Sequence, residues 1–296
     1  MREVATRPLE RRLANVLSDG PGASLEIHWL GQAGFVIDTA GYRLVIDPYL
    51  SNSLAEKYRG TVRPHVRMMP PPVEPSEIRH VDFVMCSHAH TDHMDPGTLP
   101  ALMDANPRAK LIAPVAARDQ ALLRSGVDEM RIIFADAGGM ISTAPGLAIV
   151  PTRSAHETLD TDTTGHCLFL GYVIRSAAGT LWHSGDCVPF DGLVEEVAPL
   201  FPDIALLPVN GRSAELRSGG VPGNFTVAEA IDITDRIGAS YLLAHHYGMF
   251  DFNTVSPEAI DEMAGRCERP TVLRARCGIY FSGDSGGCCS HDAGFI

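Results

Sequence analysis

The stretch Val81-Asp-Phe-Val-Met-Cys-Ser-His-Ala-His-Thr-Asp-His93 joins a short apolar run to a cluster of polar side chains. The run up to Cys86 has the length and composition of a buried β-strand. Directly after it, three histidines and an aspartate lie within six residues, although the whole chain has only 12 histidines. Imidazole and carboxylate groups bind zinc, manganese and iron, so we predict a metal site here. The alternative is a polar surface loop with coincidental histidines.

The spacing of this cluster favours two adjacent metal positions over one. In an extended segment His88 and His90 point the same way, because strand side chains alternate with a period of two residues. A turn or helix start after them would direct Asp92 and His93 elsewhere.

Strand-like and helix-like segments alternate around the cluster and indicate an α/β (α+β) protein with sheets covered by outer helices. We expect a helical extension over residues 1–23, one compact domain over 24–282 and a loose tail over 283–296. The basic, proline-rich residues 51–75 are predicted to form a long loop. A capping box at Thr226-Val-Ala-Glu229 predicts a helix that continues to Gly238. Strands are predicted at 25–30, 35–38, 43–47, 81–86, 110–113, 131–134, 147–150, 167–174, 180–183, 204–208, 242–244 and 272–274; further helices at 95–106, 115–125 and 257–266.

Composition excludes several protein classes. With 45% hydrophobic and 20% charged residues, the 296-residue chain is neither disordered nor collagenous. A formal net charge of −12 argues against a broad nucleic-acid surface. No apolar run reaches the ~18 residues of a membrane helix, and no signal peptide is evident, so we expect a cytoplasmic protein without nucleic-acid or membrane partners. The 7 cysteines include no C-x-x-C pair, which argues against a disulfide framework.

Four segments in order resemble the metallo-β-lactamase superfamily. His88-x-His90-x-Asp92-His93 matches its H-x-H-x-D-H signature. The others are His156 in Ser-Ala-His-Glu, Leu181-Trp-His-Ser-Gly-Asp186 and Ala244-His-His-Tyr-Gly-Met-Phe250. Trp29-Leu-Gly-Gln-Ala-Gly34 and Ile46-Asp-Pro-Tyr-Leu50 resemble the branch that contains L-ascorbate-6-phosphate lactonase. The resemblance spans residues 25–281 and implies a four-layer αββα sandwich.

The resemblance also implies ligands for two divalent ions, zinc or manganese, with iron as a further option. One ion would take His88, His90 and His156, and the other Asp92, His93 and His246, with Asp186 bridging. Each ligand has a plainer alternative: His156 as a loop histidine, and Asp186 as a turn or N-cap residue.

Several residues are expected to support these ligands. His245 is the alternative to His246, and strand alternation directs the two side chains apart. Asp47 is implied to hold the ligand histidines, although it could be a turn residue before Pro48. His183 and whichever of His245 and His246 does not ligate are expected to pack behind the site.

Two metal ions make hydrolysis the expected reaction, with a metal-bound hydroxide as nucleophile and Asp92 handling its proton. The branch resemblance favours a small anionic ester or lactone. The alternatives are a phosphodiesterase, either a nuclease or a phospholipid-cleaving enzyme, and a non-catalytic metal-binding scaffold.

Basic side chains in predicted loops would recognise an anionic substrate, because arginine suits phosphate and carboxylate groups. The alternative is that they are solvated surface charges. We also expect a homo-oligomer. The residues predicted to bind substrate are Arg153, Arg212, Arg217 and Asn210, with Lys57, Arg59, Arg63 and Arg67 as further loop cations.

Overall fold

Two β-sheets lie face to face in the structure, a computed structural model that describes residues 3–283. Within that range the strands are β1 (Val4–Pro8), β2 (Leu25–Gly31), β3 (Gly34–Thr39), β4 (Tyr42–Ile46), β5 (Phe83–Met85), β6 (Lys110–Pro114), β7 (Ile132–Ala135), β8 (Ile141–Ala144), β9 (Leu147–Arg153), β10 (Leu170–Ser176), β11 (Gly179–His183), β12 (Ile204–Pro208), β13 (Tyr241–His245), β14 (Thr271–Arg274) and β15 (Ile279–Gly283).

The first sheet has the order β1-β15-β2-β3-β4-β5-β6-β7, and the second has the order β14-β13-β12-β11-β10-β9-β8. In the first sheet β4 to β7 are parallel. In the second, β11 to β14 are parallel. Loops at the carboxyl ends of parallel strands commonly carry functional residues, and both sheets supply such ends.

Helices cover the outer faces of both sheets. They are α1 (Leu13–Leu17), α2 (Ser53–Lys57), α3 (Leu99–Ala105), α4 (Arg118–Ser125), α5 (Leu193–Val197), α6 (Ala214–Ser218), α7 (Val227–Arg236) and α8 (Pro257–Arg266). Helices α1, α3 and α4 pack on the first sheet, and α5, α7 and α8 on the second. This arrangement confirms the predicted four-layer αββα sandwich.

Strand alternation divides the apolar side chains between two cores. In β3, Phe35 and Ile37 face the second sheet, whereas Val36 between them faces the outer helices. In β5, Phe83 and Met85 face inward and Val84 faces outward. Strands buried on both sides read as continuous apolar runs, which is why the sequence reveals them. Each fully buried aliphatic or aromatic side chain contributes about 1.5–3 kcal/mol.

The N-terminal segment differs from the predicted helix over residues 1–23. Residues Val4–Pro8 form strand β1, which pairs antiparallel with β15, and only Leu13–Leu17 are helical. Only Val4 of β1 is buried, so the strand has no apolar alternation to reveal it. A partner strand far along the chain decides its conformation, and tertiary context of this kind overrides local propensity.

The predicted end of the main domain at 282 falls within strand β15 (Ile279–Gly283), which the sequence did not predict. Gly283 pairs with both Val4 and Leu25, so the last strand extends one residue beyond the predicted end at 282. The rest of the predicted tail lies outside the described residues. The predicted loop 51–75 contains α2, and the sequence also missed β8, α5 and α6.

A buried arginine fixes α1 to the first sheet. Arg43 forms two 2.7 Å hydrogen bonds with the Asp38 carboxylate. Its Nη1 donates to the carbonyl oxygens of Leu17, Asp19 and Arg79. The side chain is 1% exposed, and these acceptors satisfy a charge that would otherwise be costly to bury.

None of the helices described between residues 3 and 283 has the length and apolar character needed to cross a membrane.

Candidate metal centre

Seven histidine and aspartate side chains converge where loops of the two sheets meet. The first sheet supplies the loop after β5, in which backbone hydrogen bonds from His93 and Met94 to His90 close a turn. The second sheet supplies the ends of β9, β11 and β13. The converging residues are His88, His90, Asp92, His93, His156, Asp186 and His246.

Three overlapping groups of ligand atoms lie within 4.8 Å of one another and could each hold a metal ion: His88, His90 and His156; His88, His93 and Asp186; and Asp92, His93 and His246. The first and third groups coincide with the two predicted ligand sets. Asp186 lies between them, since its Oδ2 is 3.6 Å from His156 Nε2 and its Oδ1 is 3.2 Å from His246 Nε2.

Asp47 organises the histidines of the first sheet from beneath. Its Oδ2 accepts hydrogen bonds from His93 Nδ1 at 2.8 Å and from Ser87 Oγ at 2.6 Å. Because the serine hydroxyl donates to Asp47, it accepts the 2.9 Å hydrogen bond from His88 Nδ1. Both imidazoles therefore direct Nε2 towards the centre. Such partners fix the tautomer and orientation of metal-binding histidines.

His156 is oriented by a neighbouring loop. Its Nδ1 donates to Gly223 O at 3.1 Å, which leaves Nε2 facing Asp186. The adjacent Glu157 accepts a 2.9 Å hydrogen bond from Gly223 N and forms an ion pair with Arg217. The segment after α6 is thus attached to the segment that carries His156.

The backbone before Asp186 requires a glycine. Gly185 has φ of +64°, and a Cβ there would lie 2.5 Å from Leu170 O. Glycine adopts this left-handed conformation without strain, and no larger residue has room.

The two histidines at the end of β13 have different environments. His245 points between the sheets, where its ring stacks on His183 at 5.1 Å and contacts the edge of Phe35. His246 has φ of +62° and faces Asp186 and Asp92. The structure therefore places His246, not His245, among the converging side chains, as strand alternation allows.

The pKa values of the converging histidines shift in different directions. Burial lowers the pKa of His88 well below its ordinary value, and burial lowers that of His156 to about 4. Burial would also lower the pKa of His93, but Asp186 and Asp47 raise it well above the usual value. His88 and His156 thus offer free lone pairs to a cation, whereas His93 would release a proton when a cation binds its Nε2.

The chemistry of these donors fits a bound cation. Among the described residues, His88 Nε2, His93 Nε2, His246 Nε2 and Asp186 Oδ1 are buried without a hydrogen-bond partner. Buried polar atoms without partners are costly, and cations at these positions would satisfy them.

A sequence profile of the beta-lactamase superfamily domain matches residues 42–247. The chain belongs to the metallo-β-lactamase superfamily. A superfamily relative named UPF0173 metal-dependent hydrolase, from Aeropyrum pernix, is 27% identical over 261 residues, which cover 83% of this chain and 92% of that protein.

Solved structures share the superfamily fold. Igni18, a metallo hydrolase from Ignicoccus hospitalis, has a TM-score of 0.64 at 21% identity and covers 88% of this chain and 99% of its own. The isothiocyanate hydrolase from Delia radicum gut bacteria has a TM-score of 0.69 at 20% identity, with 86% and 97% covered.

A cleft of about 350 Å³ opens over the converging side chains. Its lining includes His90, Asp92, His156, Asp186 and His246, together with residues from the loops that follow β4 and β13. A volume of this size suits a small molecule.

The four residues predicted to bind substrate do not line this cleft, and the arginines already have carboxylate partners. Arg153 binds Glu196, Arg212 forms two hydrogen bonds with Glu229, and Arg217 binds Glu157. The predicted Asn210 bonds with Asn253 and Asn224. Lys57 and Arg124 are instead the basic residues of the lining. Arg124 donates to Ala89 O and Met94 O, whereas Lys57 Nζ lies over the Tyr58 ring, 5.1 Å from its centroid, and has no carboxylate partner among residues 3–283.

Sequence reasoning missed several residues of the site. Gln32 donates from Nε2 to Asp92 Oδ2 at 2.8 Å. Glu157, next to His156, accepts a hydrogen bond from Gly223 N and so holds the loop that orients His156. Gln32 lies within the Trp29–Gly34 segment that carried the branch resemblance, which was the available signal. Tyr58, His65 and Phe250 also line the cleft; Phe250 ends the Ala244–Phe250 segment of the resemblance, whereas no sequence pattern identified Tyr58 and His65.

Proposed function

We propose that this protein is a metal-dependent hydrolase that cleaves a small ester or lactone at two divalent cations. The observation that supports it is the position of Asp186 between two groups of ligand atoms, of which His88 Nε2, His93 Nε2 and His246 Nε2 are buried without a hydrogen-bond partner among the described residues. Zinc or manganese suits this set of histidine nitrogens and carboxylate oxygens, and iron is the further option. Bound there, the cations supply an activated water and Lewis-acid stabilisation of developing negative charge.

Asp92 is the residue that accepts the proton of the attacking water. Burial alone would raise its pKa, but the positive field of His93 and His246 lowers it, so the carboxylate is ionised at neutral pH. Oδ2 already accepts from Gln32, which holds the side chain in place and leaves Oδ1 as the proton acceptor. A positioned carboxylate of this kind contributes about 10²–10⁴ in rate.

Lys57 supports the anionic character of the substrate. It lines the cleft, and its Nζ lies over the Tyr58 ring at 5.1 Å from the centroid, while no carboxylate among the described residues neutralises its charge. The cleft of about 350 Å³ suits a small substrate rather than a nucleic-acid duplex, and two of the arginines expected to bind substrate, Arg212 and Arg217, are paired with Glu229 and Glu157. With the resemblance of the Trp29–Gly34 and Ile46–Leu50 segments to the lactonase branch, we favour a small anionic ester or lactone over a phosphodiester.

Metal analysis and hydrolysis together test this proposal. The purified protein should hold up to two transition-metal ions per chain and hydrolyse carboxylic esters or lactones. Asp186→Asn should reduce both the metal content and the rate, whereas the control Asp232→Asn, on exposed α7, should change neither. Cleavage of phosphodiesters alone, or equal activity in wild type and Asp186→Asn, would contradict the proposal.

A further inference from the structure

Aromatic rings form one wall of the cleft. Tyr58, His65 and Phe250 all line it. His65 stacks on Tyr58 with ring centroids 4.2 Å apart and meets Phe250 edge-on at 5.1 Å. Phe252 supports the group from behind, 4.8 Å from His65. We call Tyr58, His65 and Phe250 the aromatic wall.

His65 is held in a strained backbone conformation. Its φ is +52°, a left-handed value that residues with a side chain adopt at an energetic cost. Ring packing and a hydrogen bond from its own Nδ1 to Arg63 O at 2.6 Å keep it there. Strain of this kind persists where the surroundings enforce it, and it often accompanies binding sites.

The same hydrogen bond determines the tautomer of His65. A carbonyl oxygen can only accept, so Nδ1 carries the proton and Nε2 has a free lone pair. Burial lowers the pKa of His65 and outweighs the hydrogen bond to Arg63 O and the charge of Asp92, which raise it, so the ring is neutral at pH 7. Among residues 3–283 no hydrogen-bond partner contacts Nε2.

We propose that the aromatic wall is a specificity subsite for a planar ring of the substrate that carries a hydrogen-bond donor, with His65 Nε2 as the acceptor. The inference rests on the proposed hydrolase function for its substrate and deepens it. Rings favour edge-to-face or offset contact with a planar group, and a neutral imidazole nitrogen selects a hydroxyl or N–H. Neither argument requires a charged ligand.

Three methyl esters of similar size test the subsite. Methyl 4-hydroxyphenylacetate has a ring and a donor, methyl phenylacetate has the ring alone, and methyl cyclohexylacetate is apolar but not planar. We expect the wild-type KM to rise about fivefold when the hydroxyl is removed, and about threefold more when the ring is no longer planar.

Two variants distinguish the contribution of His65 Nε2 from that of the His65 ring. His65→Phe should abolish the preference for the hydroxyl and keep the preference for the planar ring, whereas His65→Ala should abolish both. His80→Ala is the matched control, because His80 also has a positive φ of +58° and bonds a backbone carbonyl, at Ser18, away from the cleft. Metal content and thermal midpoint identify any variant that has lost its fold.

A binding measurement keeps this proposal separate from the hydrolase proposal. If no ester is cleaved, calorimetric titration with 4-methylphenol still tests the aromatic wall: wild type should bind it at least about fivefold more tightly than His65→Ala. Equal binding, or hydrolysis with the same preferences in wild type, His65→Phe and His65→Ala, would overturn the subsite.

Discussion

His246 and His245 are adjacent in sequence and have opposite roles in the structure. His246 lies among the metal-binding groups, whereas His245 packs between the sheets against His183. We predict that His246→Ala loses about one metal ion per chain and lowers kcat more than about 100-fold. His245→Ala should keep its metal and lose about 3 kcal/mol of unfolding free energy. Elemental analysis and denaturant titration measure both, and the reverse ranking would show that the register at β13 is misassigned.

Free and paired cations should respond differently to substitution. Lys57→Gln removes a charge at the cleft that no carboxylate among the described residues neutralises, so we predict that KM for an anionic ester rises about two- to fivefold. Arg212→Gln removes a charge already bound to Glu229 and should leave KM unchanged. Steady-state kinetics at low salt provides the measurement. A larger rise of KM for Arg212→Gln than for Lys57→Gln would support the predicted contact of Arg212 with the substrate.

At the scale of single residues, residue types and short spacings predicted which side chains form the site. The H-x-H-x-D-H pattern brings four of the converging residues together within one loop, and strand alternation separates His245 from His246. The partners of the arginines could not be read in this way. Arg217 meets Glu157 and Arg153 meets Glu196 only because distant loops approach in the folded chain.

At the scale of single elements, the start of α7 shows local sequence determining local structure. Thr226 and Glu229 form the predicted capping box, with hydrogen bonds of 2.8 and 3.3 Å. The strand β1 shows the opposite case, because its conformation depends on β15 rather than on its own residues. Elements whose signals are local were predictable, and edge strands with distant partners were not.

The α7 cap should give a pH-dependent contribution to stability. Hydrogen bonds from Arg212 lower the pKa of Glu229 below 4.5, and Thr226 adds to the shift. A lowered folded-state pKa stabilises the protein above the unfolded value and loses that effect as pH falls through the folded value. We predict that Glu229→Gln lowers stability by about 1 kcal/mol at pH 7.

The difference between wild type and Glu229→Gln should shrink as pH falls below 4.5, because protonated Glu229 resembles glutamine. Thermal unfolding of both proteins across pH 3–7 measures this difference. The titration of all groups that the two proteins share contributes equally to both and cancels in the comparison. A constant difference across this range would mean that the charge of Glu229 has no part in the cap.

The anchoring of α1 is a second test at this scale. Arg43→Met leaves Asp38 buried without its partner, and we predict a loss of about 3–5 kcal/mol in unfolding free energy. Arg236→Met, on the exposed face of α7, should cost less than about 0.5 kcal/mol. Urea titration compares the two, and equal losses would refute the structural role of Arg43.

Across the whole molecule, the candidate metal centre joins the two sheets. His88, His90, Asp92 and His93 come from the first sheet, and His156, Asp186 and His246 from the second. A ligand that binds only the folded state stabilises it by about 4 kcal/mol at 1,000 times its Kd. We therefore predict that chelation lowers Tm by about 5–10 °C. Calorimetry before and after addition of zinc or manganese measures the shift, and an unchanged Tm would contradict binding across the sheets.

Strand β15 has a consequence for biosynthesis, because it lies between β1 and β2 although it is the last strand of the described chain. Translation produces β1 and β2 early, but β1 has no partner and β2 can pair only with β3 until residues 279–283 have left the ribosome. Until then β2 presents an open edge, a known template for intermolecular pairing. Completion of the first sheet therefore occurs after synthesis of the second, and the nascent chain depends during that interval on whatever shields Leu25–Gly31 from other chains.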